Sequence, residues 1–67
     1  MLEVKDLENN PLKISKNSDG TFDYIHGNSS NESSDSGLDR DAIITLIEVY
    51  GNYSELDEAK VRAFVLG

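Results

Sequence analysis

The chain has 67 residues, no cysteine and a formal net charge of -7 from 13 acidic and 6 basic side chains. A chain this short forms one domain that buries only about 60% of its unfolded surface, and without thiols it has no disulfide or thiolate–metal reinforcement, which excludes a disulfide-held secreted miniprotein. The acidic surface repels phosphate backbones and anionic lipid; no apolar run approaches a membrane span, and MLEVKDLENN has neither the basic nor the apolar region of a secretory leader, so a soluble cytoplasmic chain without membrane contact is expected.

The first third alternates with period two. Leu2 and Val4 flank Glu3, Leu12 and Ile14 flank Lys13, and Phe22 and Tyr24 flank Asp23, which is the pattern of half-buried strands. The separators carry turn chemistry: Glu8-Asn9-Asn10-Pro11, and then Lys16-Asn17-Ser18-Asp19-Gly20, whose Asp-Gly pair supplies a residue free to take positive φ. Pro11 lacks an N–H and belongs at a strand start or on an edge. The pattern predicts strands at about 2–6, 11–16 and 21–26, arranged as an antiparallel meander with one apolar face.

Residues 27–37, GNSSNESSDSG, offer nothing to a hydrophobic core. The reading is a flexible Ser/Asn-rich connection at 28–36 that spans from sheet to helices, within the usual length of a surface loop. Leu38 and Asp39 belong to the approach to the first helix.

The last third changes period. Ile43, Leu46, Ile47 and Tyr50 recur at helical spacing, with Ile44 and Val49 widening the stripe. Asp39 can cap the helix, Asp41 suits the positive end of its dipole, and Leu38 can staple onto Ile43. Gly51 supplies a left-handed C-terminal stop. Ser54 caps a second helix with Glu55, Asp57 and Glu58 in its first turn and Lys60 and Arg62 further along. Its apolar stripe is read as Leu56, Ala59, Ala63, Phe64 and Leu66, with Val61 and Val65 on the flank. Helices are therefore expected at about 39–50 and 54–66.

A three-stranded sheet with one apolar face needs a cover, and an αα-hairpin with apolar stripes needs a floor. The predicted fold class is accordingly α+β, a βββαα layered single domain over 1–67. The apolar flank of Val61 and Val65 beyond what one contact requires is a potential dimer or partner face.

Chemistry is thinly provisioned. His26 is the sole histidine, and its place at a strand end before Gly27 reads as a solvated turn. A nucleophile would have to come from the linker serines, and the spacing supports no pairing. SKNSDGTFDYIH can be laid on a calcium-loop frame through Asn17, Asp19, Gly20, Phe22 and Asp23, but Ser15 stands at the first ligand and His26 at the twelfth, where a bidentate Glu is required. A hairpin turn explains the same residues. Asn28, Asn31 and Asn52 begin glycosylation-like triplets, and Ser29 with Glu32 and Ser36 with Asp39 fit an acid-directed kinase preference. A phosphate on Ser36 would stabilise the helix start that follows. No catalytic residue, metal ligand or cofactor is assigned.

The expectation is a small acidic non-catalytic module that binds another protein, as regulator, inhibitor or assembly subunit, through Glu55, Asp57, Glu58, Val61 and Val65. The expected partner is another protein, with a basic surface as the complement of this one, or a second copy in a homodimer. The alternative is a nucleic-acid-mimicking inhibitor of a basic DNA- or RNA-binding protein. A lesser alternative reads the two helices as a helix-turn-helix, but Glu55, Asp57 and Glu58 would then meet DNA phosphates with like charge, so no direct nucleic-acid contact is expected.

Overall fold

A computed structural model describes residues 1–27 and 32–67. The strands are β1 (Leu2–Lys5), β2 (Pro11–Lys16), β3 (Phe22–His26) and β4 (Ser33–Leu38), followed by α1 (Arg40–Tyr50) and α2 (Glu55–Leu66). The sheet is antiparallel throughout in the order β1-β2-β3-β4. Both helices lie on one face of it, and the other face is open. Within one or two residues at each end, the three expected strands and both expected helices are present.

Register follows from the period-two pattern. Leu2 lies opposite Ile14 and Ile14 opposite Tyr24; Val4 lies opposite Leu12 and Leu12 opposite His26. All these side chains therefore share the inner face, while Glu3, Lys13, Asp23 and Ile25 look outward. On the inner face Val4, Leu12, Ile14 and Phe22 are buried against Ile43 and Ile47 of α1 and Val61 and Val65 of α2, with Tyr53 closing one end. Phe22 meets Phe64 edge to face at a centroid separation of 6.3 Å, and Lys16 Nζ lies 5.8 Å over the outer side of the Phe22 ring.

The turns form as the local chemistry requires. In the β1–β2 turn, Asn9 takes φ +69, a left-handed value that Asn tolerates better than most residues. In the β2–β3 turn, Gly20 takes φ +88, and the Asp19 carboxylate accepts from the Thr21 N–H at 3.0 Å and from its hydroxyl at 2.6 Å. Asp39 caps α1 by accepting from the Ala42 N–H, Ser54 caps α2 by accepting from the Asp57 N–H, and Gly51 ends α1 at φ 58 with its N–H donated to Ile47.

Two expectations require correction. Residues 33–36, expected within the flexible connection, belong instead to a fourth strand, Ser33–Leu38, paired to β3; residues 28–31 of that connection lie outside the described residues. Hydrophobic pattern cannot reveal such a strand, because its side chains from Ser33 to Gly37 are all exposed. The pairing is made by backbone groups that complete the otherwise open edge of β3. A register shift between Phe22 and Tyr24, with Gly37 at φ +68, lets the strand bend toward α1, and the Asp23 carboxylate accepts from the Gly37 N–H at 3.0 Å.

The second correction concerns α2. Val61 and Val65, expected on an exposed flank, are core residues at 0% and 4% exposure, while Leu56 and Leu66, expected to face the core, are 67% and 56% exposed. Helical periodicity alone could not choose, because α2 is apolar on two sides. Its rotation is set by the short connection from α1: Tyr53 is buried, and the neighbouring Asn52 carbonyl accepts from the Leu7 N–H at 2.8 Å. That anchorage turns the valine side inward.

Candidate interaction surface

Of the five residues expected to contact a partner, the acids and the valines point to different places. Val61 and Val65 are enclosed by the sheet and α1 and offer no surface. Glu55 is exposed, and Asp57 and Glu58 are half-buried. The Asp57 carboxylate stands 3.9 Å from Lys60 Nζ, and Arg62 reaches Glu48 of α1 at 3.6 Å. Both cations of α2 are thus opposite acids of the same molecule, while among the described residues nothing pairs with Glu55 or Glu58.

The outward face of α2 is apolar along its whole length. Leu56, Ala59, Ala63 and Leu66 follow one another at intervals of three or four residues and are all exposed. At 100° per residue they cover about 80° of the helix circumference and about 15 Å of its length. The two alanines lie between the two leucines, so the stripe is a shallow notch between two ridges. Large apolar side chains exposed in a row on a chain this small are the kind of patch that marks a contact surface. Their helical spacing is legible in the sequence, but the side of the helix that faces the core is not.

A second cluster was not anticipated. His26, read as a solvated turn residue, is half-buried on the inner face, because it shares the parity of Phe22 and Tyr24. Its ring stacks on Tyr50 at 5.1 Å and lies 6.4 Å from Tyr53. Its Nε2, where it carries the proton, donates to Asp6 Oδ2 at 3.3 Å. Asp6 is the one buried charged residue among the described residues. Its Oδ1 also accepts from the N–H groups of Glu8 at 2.9 Å and Asn10 at 2.8 Å, and its Oδ2 from the Asn10 side-chain amide at 3.2 Å. Burial pushes the Asp6 pKa up, but the hydrogen bonds from Asn10, His26 and Glu8 outweigh it and hold the carboxyl below its ordinary value. The Tyr53 hydroxyl, buried beside this carboxylate, has no hydrogen-bond partner among the described residues. Burial first, then the negative charge of Asp6 and the Tyr50 phenol, push its pKa up to about 12. Period-two parity was the available signal for His26; nothing local marked Tyr53.

The Asp6 carboxylate and its hydrogen-bond donors are consumed in joining the β1–β2 turn to the α1–α2 connection. Asp6 fastens the turn, His26 and Tyr53 pack against it, and the Leu7–Asn52 bond closes the junction. The calcium-like turn is likewise occupied internally: the Asn17 amide donates to Thr21 at 3.0 Å and to Asp23 at 2.9 Å, and Asp19 is taken by Thr21. Asp19 and Asp23 are both held below their ordinary pKa by these bonds, chiefly from Thr21 and from Asn17 respectively. Ser36 is exposed on β4, with its N–H donated to Asp35, whereas Ser29, Asn28 and Asn31 lie outside the described residues. On the open sheet face Met1, Lys13, Ser15, Asp23, Tyr24 and Ile25 line a shallow depression, in which the Asp23 carboxylate is already engaged by Asn17 and Gly37. No described helix is long and apolar enough to cross a membrane.

No protein-family model matches the chain, and no curated protein or solved structure matches it either.

Proposed function

We propose that this protein is a non-catalytic protein-binding module, acting as a regulator, inhibitor or assembly subunit, and that it engages its partner through the outer face of α2. The observation that carries the proposal is the apolar stripe Leu56-Ala59-Ala63-Leu66 on a helix whose opposite side already supplies Val61 and Val65 to the core. A domain of this size has few apolar residues to spare, so a helix that is apolar on both sides supports burial against a second molecule. Glu55 and Glu58, without partners among the described residues, remain contact residues in this reading, and Asp57 is secondary because Lys60 engages it. The cysteine-free composition supports a cytoplasmic setting. The acidic surface also keeps the nucleic-acid-mimicking reading as the rival, in which charge alone carries the contact.

The test is affinity capture from the native cell with three forms of the full chain: wild type, L56Q/L66Q and E55Q/E58Q. The substituted side chains are exposed or at the helix border, so unchanged circular dichroism should accompany each variant. A partner retained by wild type and lost with L56Q/L66Q, at both low and moderate salt, supports the apolar face. A partner that ignores the leucine changes but is lost with E55Q/E58Q and with added salt transfers the function to the mimic reading.

A further inference from the structure

The character of the occupant follows from what borders the stripe. Along the side toward α1 Glu55 and Arg62 adjoin the stripe, with Glu58 half-buried further round toward the core, and Arg62 is engaged by Glu48 at 3.6 Å. Along the other side Lys60 is engaged by Asp57 at 3.9 Å. Each cation beside the stripe is therefore opposite an acid of the same molecule, and Glu55 and Glu58 are a net negative charge on the side toward α1. The notch over Ala59 and Ala63 lets a second backbone come close, toward the short end of the 8–10 Å range of packed helices, while Leu56 and Leu66 at its two ends fix how far along the helix a bulky side chain can sit.

A second copy of the chain fits this face poorly. The antiparallel arrangement that stacks the four apolar side chains on each other centres on position 61, and because its two-fold axis brings each border against itself, it would set Lys60 against Lys60 and Arg62 against Arg62 of the other copy. It would also bring together two chains of charge -7 each. Four side chains, two of them alanine, fall well short of the roughly 800 Å² per partner of a stable interface. An extended strand has no use for a helical notch. A helix with a wider apolar stripe and a basic border meets each requirement: it fills the notch with one large residue, pairs its cations with Glu55 and Glu58, and reaches beyond α2 to gain area.

We propose that the outer face of α2 takes an amphipathic helix of another protein, apolar along one stripe and bordered by lysine or arginine. This rests on the protein-binding reading above and adds the chemistry of the partner. Affinity then has two separable parts: an apolar part carried by Leu56 and Leu66, and a salt-sensitive part carried by Glu55 and Glu58.

The experiment titrates the 15N-labelled full chain with two synthetic 18-residue helices that share one leucine stripe, with borders of lysine in one and glutamate in the other. The lysine helix should shift the amides of Leu56, Ala59, Ala63 and Leu66 and bind at least about tenfold more tightly than the glutamate helix at low salt. L56Q/L66Q should weaken it about tenfold, and E55Q/E58Q should remove most of its salt dependence. Equal binding of the two helices overturns the basic partner while leaving the face intact. A protein that sediments alone as a dimer, and as a monomer after L56Q/L66Q, assigns the face to a second copy and overturns this inference but not the module reading. Shifts confined to other surfaces, or no binding of the lysine helix at millimolar concentration, overturn it as well.

Discussion

Burial raises the pKa of both Asp6 and Tyr53, which share one end of the sheet, but hydrogen bonds reverse its effect on Asp6 alone. Asp6 is buried with four hydrogen bonds to its carboxylate, and its pKa is lowered from 3.8; Tyr53 is buried with none among the described residues, and its pKa is raised from 10.0 to about 12. The stabilisation from Asp6 is fully present above the unfolded value and is lost as pH falls through the lower folded value. Asp6→Ala should therefore cost about 2–3 kcal/mol in urea denaturation near neutral pH and flatten the acid limb of the stability curve; a variant as stable as wild type would show that the turn holds without the carboxylate. Tyr53 works the other way: a raised folded pKa gives stability that is present below pH 10 and is lost as pH rises toward 12. A buried hydroxyl without a partner costs stability, so Tyr53→Phe should leave the melting temperature unchanged or raise it, by up to about 1 kcal/mol of stability. A loss of more than that would reveal a hydrogen bond to the phenol.

At the scale of elements, α2 is the instructive case. Its start was legible, since Ser54 and the acids of the first turn are local signals, but its rotation was not. Leu56, Ala59, Ala63 and Leu66 make as good a helical stripe as Val61 and Val65 with Phe64, and a sequence carries no record of which one the sheet selects. The selection has a direct check. Val61→Ala opens space in the core and should cost about 2 kcal/mol by thermal or urea denaturation, from two lost methyl groups and the void left behind, whereas Leu56→Ala should change stability by no more than about 0.5 kcal/mol. The reverse order would restore the leucine stripe to the core. β4 was illegible for a different reason. Strand pairing is made by N–H and C=O groups common to all residues but proline, and a strand that buries almost no side chain leaves no pattern to read. His26 lies between these cases: its parity with Phe22 and Tyr24 was visible, but the turn-like Gly27 beside it suggested solvent.

The whole molecule carries a charge of -7 on a chain of 67 residues, and its described ion pairs include only two between side chains of permanent opposite charge, both on exposed parts of the helices. Such pairs are worth little, so the net electrostatic effect on the compact state is self-repulsion. Raising ionic strength from about 0.01 M to 0.15 M shortens the Debye length from about 30 to 8 Å and should raise the urea midpoint. A falling midpoint would mean that local attractions outweigh the net charge.

The sequence by itself determined the local features: two turn-separated hairpin strands and their inner faces, a third strand continuing the same alternation, the caps of both helices and the stop of the first, and the sign of the surface. Each depends on residues within a few positions of one another, through pleat parity, capping geometry and the conformational freedom of glycine. Only the tertiary structure decided which side of α2 is buried, that Ser33–Leu38 pairs with β3, and that Asp6, His26 and Tyr53 meet. Those outcomes depend on contacts between distant parts of the chain, where the anchored Tyr53 and the open edge of β3 select among arrangements that local pattern leaves equally good.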